Sequence, residues 1–500
     1  MTKNNILKYS ACFFILLSAV LGLLRFNSLQ VGTSYDDAHY IILAESLSSG
    51  QGYQLINFPR PQAERAFPPG WSLLLAPLTF LFPGNYSALK FFSLTLSLAS
   101  IVLAYKIFSK RLSSPYLEIL TGLAALNPLL VGTSVTIMSE SAYLFFSLLA
   151  VYCFDIWQDK PEEKKLQLII LLAVIVFYTQ LIRTIGISLF IALVLYLLFT
   201  RRFRDAGIAI GVFITGTLLQ GWLSGTLISS GYQSQVFNTS IPEKIGQMSS
   251  NAIGYLNETL AGSLFPVFGS SLTSFFGNYG LQTLPILLNI IILAVIMWGA
   301  VSRKTIELMD VYLVIYLLGI LAFWNPRVGS VKARFLIPII PFLYFYFLNG
   351  MLALSKKNFR VLFASSAFIV VILLARNLQD WRNPVMNQMS DLSIGSSWVA
   401  DNAPPDAIVM VNEPVPAYPH ARRKTVSFPR QSQQNLEAFL TDQDVDYIVI
   451  APRLQSPRST ELDDYIRERV LPVIESAPER FIMVYFNTEH NVTVYRYTGQ

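Results

Sequence analysis

The sequence predicts a mainly α-helical, polytopic membrane bundle of about eleven spans, followed by a small C-terminal α/β domain. The chain has 500 residues, 53% of them hydrophobic and only 14% charged, and its mean hydropathy is +0.48. Apolar runs recur from residue 10 to residue 375, and several approach the roughly 20 residues that a helix needs to cross a bilayer. Past that point, short β-rich runs alternate with amphipathic ones. We therefore expect a transmembrane domain, 1–376, and an extracytoplasmic domain, 377–500.

Hydropathy predicts spans at 10–27, 86–108, 115–133, 140–157, 166–182, 185–200, 206–224, 283–301, 309–324, 335–354 and 359–375. With the N-terminus inside, every cytoplasmic connection is short and carries Lys or Arg, as the positive-inside rule requires. No small-residue cleavage site follows the first span, so we interpret it as a retained helix and not as a signal peptide. The expected location is the cytoplasmic (inner) membrane, with the C-terminal domain outside.

Two long segments then fall on the outer side, at 28–85 and 225–282. The first contains an apolar stretch from Pro68 to Phe82 that is bounded by prolines and too short to span. We expect it to form a helix at the membrane interface. The second segment is rich in Ser, Gly, Asn and aromatic residues, which predicts an interfacial loop with short helices.

The C-terminal domain has the composition of a small α/β fold. Strands are predicted at 407–411, 447–450, 481–486 and 492–497, helices at 434–440 and 461–475, and a hairpin turn at 487–491. The stretch from Tyr418 to Lys424 is basic and aromatic, and we interpret it as a loop. A solvated surface and a position over an active site both remain open for this loop.

Cysteine and histidine are too scarce to suggest a disulfide framework or a metal centre. Cys12 and Cys153 lie inside apolar spans, and the sequence has three histidines without Cys/His ligand spacing. The sequence therefore requires no cofactor, although a divalent metal stays compatible with it. The net charge of +6 needs no nucleic-acid partner, because the basic residues follow membrane topology.

An acidic pair, Asp36 and Asp37, follows directly after the first span. Carboxylates close to hydrocarbon are costly, so they call for a functional explanation. Adjacent side chains cannot point the same way, so one carboxylate is expected to face a cavity while local donors satisfy the other. Such a carboxylate could accept a proton from a hydroxyl or amine that arrives from outside. The alternative is a solvated pair that sets topology or caps the helix starting near Ala38.

Four basic residues stand at outer span ends, on the side that the positive-inside rule leaves poor in cations: Arg183, Arg327, Lys332 and Arg334. They suggest an anionic partner, and a lipid-linked phosphate at the outer leaflet fits because a guanidinium matches phosphate oxygens. Snorkelling toward lipid phosphates is the alternative for each of them.

The remaining candidates are acids, a histidine and a loop arginine near the same side. Glu140 begins the fourth span and could form a structural ion pair or take part in catalysis. Glu64 and Arg65 lie in the first outer loop as acceptor contacts or as solvated residues. His39 falls on the same helical side as Asp36 and could bind substrate or hold a structural partner.

The order of these motifs resembles a known family of membrane enzymes. Asp36-Asp37, a helix containing Tyr40, Pro68-Pro69 before a leucine-rich stretch, Ser139-Glu140, Leu181-Ile182-Arg183 and Ala333-Arg334-Phe335-Leu336-Ile337-Pro338 follow one another over about 350 residues. This arrangement resembles the polyprenyl-phosphate-sugar-dependent GT-C glycosyltransferases, closest to the branch of the protein O-mannosyltransferases and the lipid A aminoarabinose transferase. In that family the second acid is usually Glu. The departure at Asp37 makes Asp36 the better candidate base.

The resemblance implies an inverting glycosyltransferase with a GT-C-like bundle that acts at the outer face of the cytoplasmic membrane. The donor would be a polyprenyl-phosphate-linked sugar, and the acceptor a lipid, a glycan or a protein. Asp36 would be the base with Asp37 in support, and arginines such as Arg183 and Arg334 would hold the leaving phosphate. Two alternatives remain: a transporter or flippase of lipid-linked sugars, which predicts mid-span charges and repeated halves, and a non-catalytic envelope scaffold.

Overall fold

The structure, a computed structural model, describes residues 3–224, 240–265, 283–324, 332–355, 359–384, 390–430, 435–452 and 462–499. The membrane part is helical: α1 (Lys3–Leu24), α2 (Asp36–Ser48), α3 (Gly70–Leu81), α4 (Tyr86–Ser109), α5 (Tyr116–Ala125), α6 (Pro128–Ser134), α7 (Glu140–Gln158), α8 (Glu162–Ile182), α9 (Ile187–Phe199), α10 (Phe203–Ser224), α11 (Ile241–Gly254), α12 (Leu260–Leu264), α13 (Thr283–Val301), α14 (Leu308–Phe323), α15 (Ile340–Leu354) and α16 (Phe359–Arg382). A 3₁₀ segment, Ala333–Ile339, leads into α15, and two short strands, β1 (Gln54–Leu55) and β2 (Gln62–Ala63), pair in the first outer loop.

A helix lies at each of the eleven predicted spans. Within the described residues, four helices are long and apolar enough to cross a membrane: α4, α7, α8 and Ala333–Leu354. A fifth is added if α5 and α6 form one span. The apolar stretches of α1, α9, α13 and α14 are shorter than that test requires. The total of eleven spans stays a prediction.

The predicted third span is not a straight helix, because α5 and α6 meet at an angle of 51°. Asn127 lies at the break, where its side-chain oxygen accepts hydrogen bonds from the backbone N–H groups of Leu129 and Leu130. Its amide donates to the hydroxyl of Tyr344 at 2.9 Å. These bonds satisfy the backbone that the bend exposes, as an apolar environment demands. Pro128 at the start of α6 needs no hydrogen-bond acceptor.

The first outer loop contains α2 and α3. The acidic pair belongs to the first turn of α2, so this helix begins two residues earlier than the start expected near Ala38. The 12 residues of α3 extend about 18 Å, which is too short to span, as the sequence predicts. Trp71 is buried in the bundle, whereas Phe80 is 71% exposed on the opposite side. Such an apolar outer face suits a helix at the membrane interface.

The second long outer segment is described only in part. Helix α11, a π-helical turn at Tyr255–Thr259 and α12 occur there, in line with the predicted short helices. The other parts of that prediction, 225–239 and 266–282, lie outside the described residues.

The C-terminal part forms a five-stranded sheet in the order β4-β3-β5-β7-β6. Its elements are α17 (Ser390–Asn402), β3 (Ile408–Val411), α18 (Pro414–Ala421), β4 (Lys424–Ser427), α19 (Leu436–Asp442), β5 (Tyr447–Ile450), a π-helical turn (Ile466–Val470), α20 (Leu471–Ser476), β6 (Phe481–Asn487) and β7 (Val492–Tyr497). Strands β4, β3 and β5 are parallel, while β7 and β6 add as an antiparallel hairpin. The four predicted strands and the hairpin are confirmed.

The predicted loop from Tyr418 to Lys424 is wrong in part, because α18 ends at Ala421 and β4 begins at Lys424. Helix α18 is hard to predict from the sequence because proline normally interrupts a helix. Pro414 and Pro416 are tolerated here since they fall in the first turn, where no intrahelical N–H bond is lost. Helix α17 was not predicted from the sequence. The predicted helix at 461–475 begins, within the described residues, only near Tyr465.

Helix α18 packs against α2, so the C-terminal part touches the segment that carries the acidic pair. The His420 Nε2 atom donates to the backbone oxygen of Val31 at 2.9 Å. The backbone N–H of Thr425 donates to the backbone oxygen of Asn57 at 2.6 Å. Val415 joins an apolar cluster with Ile42 and other residues of α2. The outer loop is therefore held from both sides, by the helical bundle and by the sheet domain.

Candidate active site

A cavity of about 320 Å³ opens where the first outer loop meets the ends of several helices. Its volume lies in the range of small-molecule pockets, about 300–1,000 Å³. Most of its wall is apolar, and polar side chains from four parts of the chain converge on it. The lining consists of Asp36, Tyr40, Phe67, Pro68, Ile182, Arg183, Thr184, Ile185, Tyr316, Ile320, Phe323, Trp324, Arg334 and Phe335.

Asp36 faces this cavity from the first turn of α2. Its Oδ2 atom lies 3.0 Å from NH1 of Arg334, and its side chain is 28% exposed. The preceding residue, Tyr35, has a φ of 62°, in the left-handed region that is costly for a non-glycine residue. The chain therefore enters α2 through a strained turn that leads directly to Asp36, the first residue of the helix.

Asp37 points the other way and is 5% exposed. Its carboxylate accepts hydrogen bonds from the backbone N–H groups of Gly32 at 2.8 Å and Ala38 at 3.0 Å. Burial raises the pKa of this carboxyl from its ordinary 3.8 to about 6, although both N–H donors oppose that rise. The pair thus divides as the sequence suggests, with one carboxylate at a cavity and the other satisfied locally. Asp37 closes the turn that positions Asp36 and does not reach the cavity wall.

Glu140 links the two arginines of the cavity. Its Oε1 atom lies 2.8 Å from NH1 of Arg183 and 3.9 Å from Nε of Arg334, while its side chain is 1% exposed. Both guanidinium groups also lie over the ring of Phe335, at 6.0 Å and 5.4 Å from its centroid. The two cations are therefore fixed side by side at one end of the cavity.

The Ser139 hydroxyl connects this cationic end to α2. It accepts a hydrogen bond from NH1 of Arg183 at 3.0 Å and another from the Tyr40 hydroxyl at 3.1 Å. Tyr40 is 5% exposed, and burial raises the pKa of its phenol. Tyr40 therefore stays neutral and serves as a hydrogen-bond donor.

Other sequence candidates lie outside the cavity wall. His39 stacks on Phe67 with ring centroids 4.6 Å apart, and burial lowers its pKa. The Glu64 carboxylate accepts from two backbone N–H groups of its own loop, including that of Phe67 at 3.1 Å. Arg65 and Lys332 are exposed to solvent. Arg327 lies outside the described residues.

Several wall residues were not predicted from the sequence. Tyr316 lies in the middle of an apolar span, and its hydroxyl donates to the backbone oxygen of Phe335 at 2.7 Å. It shares one side of α14 with Tyr312 and Ile320, at the spacing of four that places residues on one helix face. Trp324 and Phe335 flank the arginine motif. A polar group repeated on one face of a span was the signal that could have identified Tyr316.

Among the residues that the structure describes, no group of three or more His, Cys, Asp or Glu side chains is close enough to hold a metal ion. The two acids beside the cavity, Asp36 and Glu140, each pair with an arginine.

No family model and no curated protein sequence matches this chain. Solved structures resemble it over nearly its whole length. ArnT from Cupriavidus metallidurans bound to undecaprenyl phosphate has a TM-score of 0.61 and 12% sequence identity, covering 98% of each chain. The same protein in the apo state gives 0.53 and 14%, covering 97% of each chain. The Archaeoglobus fulgidus oligosaccharyltransferase in complex with Zn and sulfate gives 0.52 and 14%, covering 96% of this chain and 72% of that one. At such low identity the likeness establishes the fold.

Proposed function

From the premise that this multi-pass membrane protein has the GT-C fold, we propose that it transfers a sugar from a polyprenyl phosphate to an acceptor on the outer face of the cytoplasmic membrane. The observation that carries the proposal is the convergence of Asp36, Arg183 and Arg334 on one cavity. A base and two cations are the groups that glycosyl transfer from a lipid phosphate requires.

In the proposed reaction, Asp36 removes a proton from an acceptor hydroxyl or amine as that group attacks the anomeric carbon. The new bond forms on the face opposite the phosphate, so the configuration at this carbon inverts. The bond between the anomeric carbon and the phosphate oxygen breaks, and its electron pair leaves with the polyprenyl phosphate. The acceptor proton remains on the Asp36 carboxyl.

The two arginines would stabilise the departing phosphate. Guanidinium groups bind phosphate oxygens through paired N–H donors, and such charge-assisted bonds are about twice as strong as neutral ones. Glu140, Ser139 and Phe335 hold both groups in place before substrate arrives. Because the leaving group already bears negative charge, cation stabilisation matters more here than a general acid.

We propose the topology along with the chemistry. The bundle would have about eleven spans with the N-terminus in the cytoplasm, and the sheet domain would lie outside against the first outer loop. The acceptor would then reach Asp36 from the extracytoplasmic side. The contacts of His420 and Thr425 with that loop support a role for the sheet domain in fixing its position.

The test is transfer from a panel of polyprenyl-phosphate sugars, in membranes and with the purified protein. Asp36→Asn should reduce the rate by about 10²–10⁴, the usual contribution of a general base. Asp401→Asn, which changes an exposed acid of the sheet domain, serves as the matched control and should transfer normally. Transfer by Asp36→Asn at the wild-type rate would contradict the mechanism.

Arg183→Gln and Arg334→Gln should lower transfer as well, because each removes a cation from the proposed phosphate site. Arg382→Gln changes an exposed arginine at the end of α16 and is the control for loss of charge. Equal effects of all three substitutions would mean that the arginines at the cavity have no special role.

A further inference from the structure

The charged side chains at the cavity balance one another. Arg183 and Arg334 stand against Asp36 and Glu140, and each cation is already paired with an acid. An incoming phosphate therefore meets, among the described wall residues, no arginine that is not already paired. To bind through the NH1 donor of Arg334 that faces Asp36, the phosphate must replace that carboxylate.

The two ion pairs differ in how easily they can open. Arg183 and Glu140 lie 2.8 Å apart, and their side chains are 17% and 1% exposed. Separating them would leave Glu140 buried without its counter-charge, which is strongly unfavourable. Arg334 and Asp36 lie 3.0 Å apart, and their side chains are 38% and 28% exposed. A pair with that much solvent contact contributes little stability and exchanges partners easily.

We propose that Asp36 and the donor phosphate compete for Arg334, so that binding of the donor releases the catalytic base. The proposal rests on the function proposed above and adds the order in which donor and acceptor act. Before the donor binds, Arg334 holds the carboxylate of Asp36 and blocks its approach to an acceptor. Once phosphate takes Arg334, Asp36 keeps its place at the cavity wall but loses its cation. The donor therefore binds first, and the acceptor is activated only in the loaded enzyme.

The chemistry of the two anions favours this exchange. A phosphate offers several oxygens and can engage both N–H edges of a guanidinium, whereas Asp36 reaches Arg334 through one oxygen at 3.0 Å. Arg183 lies beside Arg334 over the same Phe335 ring, so one phosphate can contact both. Among the described residues, the Asp36 carboxylate forms an ion pair with Arg334 alone.

Binding of undecaprenyl phosphate to the purified full-length protein tests the competition, with undecaprenol as the probe that lacks phosphate. Asp36→Asn should bind undecaprenyl phosphate about two- to fivefold more tightly than wild type, the gain expected when a partly exposed competing ion pair is removed. Arg334→Gln should bind it more weakly. Neither change should alter the affinity for undecaprenol.

The double variant Asp36→Asn/Arg334→Gln separates competition from simple loss of negative charge. If the effect passes through Arg334, Asp36→Asn gives no gain in the Arg334→Gln background. An equal gain in both backgrounds, or no gain in wild type, overturns the proposal. Asp36→Ser repeats the test if the Asn variant does not elute as a folded monodisperse species. If wild type does not prefer undecaprenyl phosphate to undecaprenol, the proposed donor class itself is wrong.

Discussion

Glu140 offers a sharp test of how the cavity is held together. Its carboxylate is 1% exposed and lies 2.8 Å from Arg183 and 3.9 Å from Arg334. Opposite charges about 4 Å apart attract by roughly 4 kcal/mol at the effective dielectric constant of proteins. Glu140→Gln removes this attraction and leaves the largely buried Arg183 without its main counter-charge. Breaking such a pair from one side costs about 3–5 kcal/mol, so we expect a loss of that size in the free energy of unfolding.

The assay is denaturant-induced unfolding of the purified protein in detergent, with size-exclusion elution as a check on folding. Glu437→Gln is the matched control, since Glu437 pairs with Arg480 at a similar 3.0 Å but is 36% exposed. Its loss should cost less than about 1 kcal/mol.

The double variant Glu140→Gln/Arg183→Met completes the measurement. Replacing Arg183, now without its counter-charge, by an apolar side chain should restore part of the lost stability. The double variant should therefore unfold at a higher denaturant concentration than Glu140→Gln alone. The reasoning is refuted if Glu140→Gln is as stable as wild type. It is refuted equally if the losses of the two single substitutions simply add.

Two further predictions concern Asp37 in the first turn of α2 and the close contact of Gly70 in α3 with the end of α8. Because the pKa of Asp37 is about 6 when folded and 3.8 ordinarily, its stabilising effect is full below about pH 4 and is lost as pH rises through 6. The free energy of unfolding of wild type should therefore fall relative to that of Asp37→Asn by up to about 3 kcal/mol between pH 4 and pH 7, and parallel pH profiles would contradict this. Gly70→Ala should destabilise the protein and impair transfer, because the added Cβ would come within 2.5 Å of the Leu181 backbone. Gly207→Ala is the control, since Gly207 has open space around it and its substitution should be neutral or slightly stabilising. Equal thermal midpoints for the two variants would refute the close contact.

Much of the fold was accessible from the sequence because membrane helices and strands leave periodic apolar patterns. A helix lies at each predicted span, and the likeness to solved structures confirms the fold that the resemblance implies. The bend at Asn127 was not anticipated, because a single buried amide between apolar runs gives no periodic signal. The same holds for α18, whose helical nature depends on where its prolines fall relative to its first turn and on packing against α2.

The candidate site likewise contains residues that could be predicted from the sequence and residues that could not. Asp36, Arg183 and Arg334 could be selected from the sequence because charges near hydrocarbon are conspicuous. Ser139, Tyr316 and Phe335 were not singled out as site residues, since a serine, a tyrosine or a phenylalanine is unremarkable in a helix or at its end. Their importance arises from contacts with residues far away in the chain.

The sequence by itself determined that the chain is a membrane bundle with an acidic pair and a set of unusual cations near the ends of its apolar spans. These properties follow from local hydropathy and from the energetic cost of placing charge beside lipid. Only the tertiary structure decided which acid faces the cavity and which closes a turn. It also decided that Arg334 pairs with Asp36 and Arg183 with Glu140, because those pairs join distant parts of the chain and depend on distances that packing alone fixes.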